Sequence, residues 1–455
     1  MKKTKFRLMK FLQKKWLILS VIVLLNQGNV LSQNEQQVFK LDLDAAVEMA
    51  LENNQLIKIS HLGRKAAEAQ YYETFGSFLP DISGSAMYNN NVKRPVIFMP
   101  DGPPFFGEVL ELGSKHSYNA GFSASMPLYN HALINSLRAN RIQKELSEEE
   151  LRAAKIDLKY EVRMAFFNSL LAAESFEIMK QRFENAEKNF ENVRSMHKQG
   201  IVSEFDLIRA EVQTENLRPS LIQAENALKL SLNYLKALLG VDNNTDIELM
   251  GDLIDKAEKV MLDFNLEQAQ RSLVYNTNLV QLEIQRKLLN QQARTIRASN
   301  LPSIAAIGNY QFQSQAEDLN FSDYNWVQTA VAGFQINVPI FNGFTTRNRA
   351  RQVEIASEQV SLQREYLENN LNVQMDDILR TLDLAIEKVV NAEKNVSMAE
   401  RAYNIALRRY DTGQGTLLEV NDSEVALSQA KFNYIQAIHE ILQAKTEHEK
   451  FIGQN

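Results

Sequence analysis

The side chains best placed to do chemistry in this chain are carboxylates beside glycine turns. Asp206 follows Gly200, and Glu419 and Asp422 follow Gly413, with Tyr410 three residues before that second glycine. Carboxylates gathered in this way can attract cations and turn anions away. They can also serve the backbone. Ser203-Glu204-Phe205-Asp206 and Thr416-Leu417-Leu418-Glu419 both fit the Ser/Thr-x-x-acid pattern of a helix start, which satisfies free backbone N–H groups. The two roles are compatible. Asp422 lies one turn further in and cannot cap the same end, so it favours the charge role. Other chemistry finds little support. The six histidines (His61, His116, His131, His197, His439 and His448) show no metal-ligand spacing, and neither a nucleophile elbow nor a phosphate-cradling glycine loop occurs. The expectation is no enzyme, no cofactor and no metal centre.

The elements that carry these turns are long. His131–Gln199 and Phe344–Thr412 each run without Gly or Pro and stop at Gly200 and Gly413. At 1.5 Å per residue, each predicts a helix of roughly 100 Å. Phe176, Met179, Phe183, Ala186, Phe190 and Val193 repeat at 3-4 spacing, as do Val389, Ala392, Val396, Ala399, Tyr403 and Ala406. Beyond each glycine a heptad continues, through Ala210, Thr214, Leu217 and Leu221 or Ser423, Leu427, Ala430 and Tyr434. This is the spacing of antiparallel coiled-coil hairpins, with tips at Gly200-Ile201-Val202 and Gly413-Gln414-Gly415.

Before each long helix stands the same series. Leu41–Phe75 and Leu266–Ser299 read as helices with breaks at Asn53-Asn54 and Asn276-Thr277-Asn278, and each ends near Leu-Pro (Leu79-Pro80, Leu301-Pro302). Strands of alternating pattern follow: Asp81–Asn89 and Ser303–Gln313, with return strands around Tyr118–Met126 and Ala330–Val338. Such alternation suits a half-buried soluble hairpin. Lengths of about 9–11 residues, aromatic residues (Tyr88, Phe98, Phe105, Phe106, Tyr310, Phe312, Trp326) and a small, uncharged polar face also suit a membrane barrel. Four strands cannot close a barrel, so membrane insertion would require several chains. Lys93–Gly113, rich in Pro and Gly, reads as an external loop.

The N-terminus reads as a signal peptide over residues 1–32: seven basic residues, the apolar run Trp16–Leu25, then small residues around Val30-Leu31-Ser32. A retained anchor is the other reading. Removal of seven positive and no negative charges takes the chain from −6 to −13, which disfavours nucleic acid as a partner. The exported chain would have no cysteine, hence no disulfide and no lipid-anchor thiol. After residue 32 no apolar stretch reaches the length of a membrane helix.

The expected organisation is therefore a signal peptide (1–32) and a first repeat, 33–240. That repeat holds a helix, β-hairpin 81–127, long helix 131–199 and return helix 203–240. A linker or side segment, 241–264, leads to a second repeat, 265–455, with hairpin 303–339, long helix 344–412 and return helix 416–452. The fold class is mainly α with a small β part.

In this order and duplication the chain resembles the TolC-like outer-membrane efflux protein family. The most specific local match is Tyr410-Asp411-Thr412-Gly413-Gln414-Gly415-Thr416-Leu417-Leu418-Glu419-Val420, with Asp422 following. The resemblance implies a homotrimer in the outer membrane of a Gram-negative bacterium. Each chain would lend four strands to a twelve-stranded barrel and its helices to a periplasmic tunnel. Such a duct serves efflux or type I secretion, and its partners are outer-membrane lipid, a periplasmic adaptor and an inner-membrane pump of RND or ABC type. The resemblance also implies that Asp206, Glu419 and Asp422 ring the narrow end, that Tyr410 helps hold it closed, and that the tip turns meet the adaptor. Tyr410 also continues the coiled-coil stripe, so packing alone accounts for it equally. The basic residue expected two positions after Gly413 is Gly415, which puts a tyrosine–arginine–acid lock in doubt; Arg408 and Arg409 are the nearest substitutes. The rival reading is an exported coiled-coil scaffold or adhesin without a pore, which explains the helices but not the matched hairpins.

Overall fold

The computed structural model describes residues 39–98, 109–263, 272–320 and 324–453. The signal-peptide expectation, Phe105 and Phe106, and the start of the second repeat lie outside these residues.

The elements are, in order, β1 (Phe39–Leu41), α1 (Leu43–Asn53), α2 (Gln55–Gly76), β2 (Asp81–Asn90), β3 (Val96–Phe98), β4 (Val109–Glu111), β5 (His116–Asn130), α3 (His131–Lys198) and α4 (Glu204–Leu239). There follow β6 (Ile247–Leu249), α5 (Leu253–Asp263), α6 (Thr277–Ala298), β7 (Ser303–Ala316), β8 (Val327–Asn337), α7 (Thr345–Asp411) and α8 (Leu417–Phe451). Helices α3 and α7 have 68 and 67 residues, about 100 Å each. Nothing in either sequence interrupts the hydrogen-bond ladder until the glycines, which take φ of 72° at both Gly200 and Gly413. Each return helix folds back antiparallel on its partner and buries the expected seam, including Phe183, Ala186, Val193, Ala210, Thr214 and Leu217 in the first hairpin.

The β part differs from the expectation in three ways. The strands β5 and β7 have 15 and 14 residues, longer than the pattern suggests. β5 runs past Pro127 to Asn130, because a register shift between Pro127 and Tyr129 accommodates a residue that cannot donate to the ladder. The two hairpins also form one antiparallel sheet, order β2-β5-β7-β8, joined through β5 and β7. The register puts the alternation of all four strands in phase. The row Gly84–Phe122–Tyr310–Ala330 and the pairs Ile82–Ala124 and Ala306–Phe334 share one face; Ser83–Ser123–Asn309 lie on the other. The Ser83 and Ser123 hydroxyls meet at 2.8 Å on that polar face. On the apolar face Ile82 and Phe334 remain 72% and 74% exposed. The outer edges of β2 and β8 have no partner strand among the described residues.

Two connecting segments carry secondary structure among their described residues. Loop 93–113 carries the paired strands β3 and β4, and Arg94 bridges Glu111 at 2.9 Å and Glu317 at 3.0 Å. Segment 241–264, read as a linker or side segment, packs against the helices through its described residues. Its strand β6 pairs in parallel with β1, and α5 buries Leu253 and Ala257 in the main core. That core lies midway along the long helices and draws Val162, Phe166, Leu382 and Ile441 from both halves.

The return helices end at matched clamps. Asn54, in the break between α1 and α2, caps Leu56 N–H and donates to the Leu238 carbonyl at 2.8 Å. Asn276 caps α6 and donates to the Phe451 carbonyl at 2.9 Å. Gly240 and Gly453, with φ of 69° and 71°, pass so close that a Cβ on either would strike the backbone of Asn53 or Tyr275.

The chain exposes 30849 Å², whereas a compact monomer of this mass would expose roughly 17,000 Å². Among the described residues no helix is long and apolar enough to cross a membrane, which says nothing of a β-barrel.

Candidate functional site

The two helical tips come together, and most of the candidate residues of the sequence lie there. Val193, Ala210 and Leu417 form a small buried cluster, with Phe190, Val202, Leu207 and Tyr410 packed around it. Tyr410 therefore joins the second hairpin to the first through packing. Burial, the nearby Asp206 carboxylate and Asp411 push its hydroxyl pKa up. Among the described residues that hydroxyl makes no hydrogen bond.

The first tip is a closed circuit. Gly200 N–H donates to His197 O at 2.9 Å and Ile201 N–H to Met196 O at 3.0 Å, which ends α3. Ser203 then starts α4 in a complete capping box. Its hydroxyl donates to Asp206 Oδ2 at 2.6 Å, and Asp206 N–H donates back to that hydroxyl at 3.2 Å. Asp206 thus performs the capping role its spacing allows. Ile201 stands 65% exposed at the turn.

The second tip uses the same backbone and a different side-chain arrangement. Thr416 accepts from Glu419 N–H at 3.2 Å, but the Glu419 carboxylate turns away to Arg409, with Nη1 3.6 Å from Oε2. Arg409 also donates from Nη2 to the Gln414 carbonyl at 3.1 Å, and its own carbonyl accepts from Gln414 and Gly415 N–H. The bare Cα of Gly415 makes this possible. A Cβ there would stand 3.0 Å from Arg409 Cβ and 3.1 Å from Glu419 Oε2. Arg409 is therefore the cation beside Glu419, reached from the last turn of α7 instead of from position 415. Asp422 lies exposed one turn along α8, on the same end of the molecule.

Glu424 is absent from the candidates that spacing suggests. Its side chain is buried in the seam between α8 and α3, where Arg182 and Asn185 face it. A signal for it is present: Leu417, Val420, Glu424 and Leu427 follow 3-4 spacing, so a carboxylate interrupts an apolar stripe. Among the described residues, no group of three or more His, Cys, Asp or Glu is arranged to hold a metal ion.

This arrangement, an open amphipathic sheet and long helical hairpins meeting at an acidic tip, has known counterparts. The chain is 24% identical over 381 residues to the probable outer membrane lipoprotein SilC of Salmonella typhimurium, covering 83% of this chain and 78% of that one. It is 21% identical over 419 residues to the outer membrane protein TolC of Vibrio cholerae, covering 90% and 91%. The crystal structure of the Campylobacter jejuni CmeC outer membrane channel superposes with a TM-score of 0.73 at 19% identity, over 90% of this chain and 85% of that one. The outer membrane efflux protein family profile matches twice, over residues 46–241 and again over 269–454. The chain belongs to the outer membrane efflux protein family.

Proposed function

We propose that the protein is the passive exit duct of a tripartite efflux or secretion machine, set in the outer membrane with its helices in the periplasm. The observation that carries this reading is the sheet. It has one apolar face, one small polar face and two edges without a partner strand among the described residues, at the end of helices about 100 Å long. Bare edges cannot rest in lipid, so the strands of neighbouring chains must complete a barrel. Three copies would give the twelve strands the resemblance implies. The same need for neighbours is written on the helices, where Leu230, Leu362, Tyr366 and Val373 are exposed apolar side chains. The two matches to one family profile support a duplicated chain whose halves each supply one hairpin.

At the far end, the tip turns Gly200-Ile201-Val202 and Gly413-Gln414-Gly415 meet a periplasmic adaptor, which links the duct to an inner-membrane pump. Asp206, Glu419 and Asp422 line the narrow opening and favour cations, with Arg409 offsetting part of that charge. Three copies of Tyr410 pack the hairpins shut. The duct needs no catalytic group of its own, since the pump supplies the energy.

Purified protein in detergent should sediment as a trimer and conduct ions in a planar bilayer with cation preference. Replacing Asp422 by Asn should weaken that preference. Release of the protein from membranes by carbonate, as a monomer, would overturn the reading.

A further inference from the structure

Just inside the tips, the two helical hairpins do not fit together as they do midway along. A groove of about 250 Å³ opens between α3, α7 and α8, lined by Asn185, Asn189, Tyr403, Leu407, Val420 and Glu424. Glu424 is 7% exposed, and its Oε1 is buried with no hydrogen-bonding partner among the described residues. Facing it, Arg182 Nε is likewise buried and unpartnered. The two groups are opposite in charge and sit on different hairpins, yet they do not close into an ion pair. A buried, half-satisfied charge costs free energy that a hydrated one does not. The seam therefore carries an incompletely satisfied charge here, between the small apolar cluster at the tips and the extensive core midway along the helices.

We propose that Glu424 is a positioning residue that sets how firmly the second hairpin seats against the first, and so where the two begin to part. The proposal rests on the duct reading only for its meaning as a gate; the seam itself is a property of the chain. The groups that face Glu424 are Arg182 and Lys188 from α3 and Tyr403 from α7. Burial raises the Glu424 pKa, while Arg182 and the Asn185 amide act in the other direction, and burial is the largest influence. The sign follows. Seated hairpins hold the proton more tightly than parted ones, so seating is favoured while the carboxyl is protonated. That preference is lost as pH rises through the raised value.

The absence of cysteine makes the test clean. Spin labels are placed on Asn192→Cys and Leu407→Cys, one on each hairpin and both lining the groove. Distances are measured by pulsed electron resonance on the full-length protein in detergent. From about pH 5 to about pH 8, the fraction of longer distances should rise at least about threefold. In Glu424→Gln it should stay at the low-pH level throughout. An unchanging distance in the unmodified seam, or an unaltered pH response in Glu424→Gln, would overturn the proposal. If Glu424→Gln does not accumulate, Arg182→Gln decides: losing the positive neighbour must move the transition to higher pH, and an unmoved transition overturns it. Bilayer conductance on the same samples separates the two readings. A silent protein with an intact pH-dependent distance refutes the duct alone; a conducting protein with a fixed distance refutes the role of Glu424 alone.

Discussion

At both tips a glycine at φ 72° ends one long helix and a hydroxyl side chain starts the next, yet the carboxylates three residues further on are used differently. Asp206 turns inward to its own capping serine. Glu419 leaves its threonine and turns to Arg409. The entry to the long helices differs in the same way. In the first half, Asn130 follows the proline motif directly and caps α3, accepting from Leu133 N–H at 3.0 Å. In the second half, Asn342 occupies the matching place, but Gly343 and Phe344 intervene with φ of 62° and 63°, and α7 starts without a side-chain cap. The backbone plan of the two halves is shared, then, while the side-chain circuits at their ends are not. Conformation is held by what the chain needs in order to turn; charge is free to be reassigned.

The likeness of the two halves is most severely tested at the clamps. Gly453→Ala would drive a Cβ onto the Tyr275 carbonyl and should lower stability by about 3 kcal/mol, read by thermal unfolding in detergent. Gly240→Ala meets Asn53 at 3.0 Å and should cost about 2 kcal/mol; equal losses would erase this asymmetry. At the tips, Gly200→Ala and Gly413→Ala should each cost about 1 kcal/mol and should match, because both sites are open and only the left-handed backbone matters. Capping comes next. Ser203→Ala should cost about 1 kcal/mol and Thr416→Ala about half that, since only the first tip has the reciprocal bond. Arg409→Gln should change stability least, by less than about 0.5 kcal/mol, because the pair is solvent-exposed. Its effect should appear in reversal potential, as stronger cation preference, with Glu419→Gln moving in the opposite direction. A shift of the same sign in both would dissolve the distinction between the tips.

Much of this plan is legible in the amino-acid sequence. Helix ends depend on local rules, so Gly200, Gly413, Ser203 and Thr416 can be assigned from spacing alone, and the long helices fall within a residue or so of the expected bounds. The break at Asn54 is equally visible. What escapes is non-local. Nothing in the alternation of one strand reports that β5 pairs with β7, or that Pro127 sits at a register shift. Segment 241–264 reads as a linker or side segment because it opens on the polar run Asp242-Asn243-Asn244-Thr245-Asp246, and nothing local reports that Leu253 and Ala257 complete a core built elsewhere. Arg408 and Arg409 are equal candidates for the missing basic residue by position; only the close approach to Gly415 singles out Arg409. Glu424 is a charge on an apolar stripe, a weak signal on a return helix that carries many charges.

The margins of β2 and β8, which have no partner strand among the described residues, also bear on how such a molecule is made. A newly exported chain would travel through the periplasm with two adhesive borders and a greasy face, a template for any extended peptide it meets. Its maturation should therefore depend steeply on how many siblings are present at once, and excess single copies should become substrates for chaperones and proteases before they ever reach lipid.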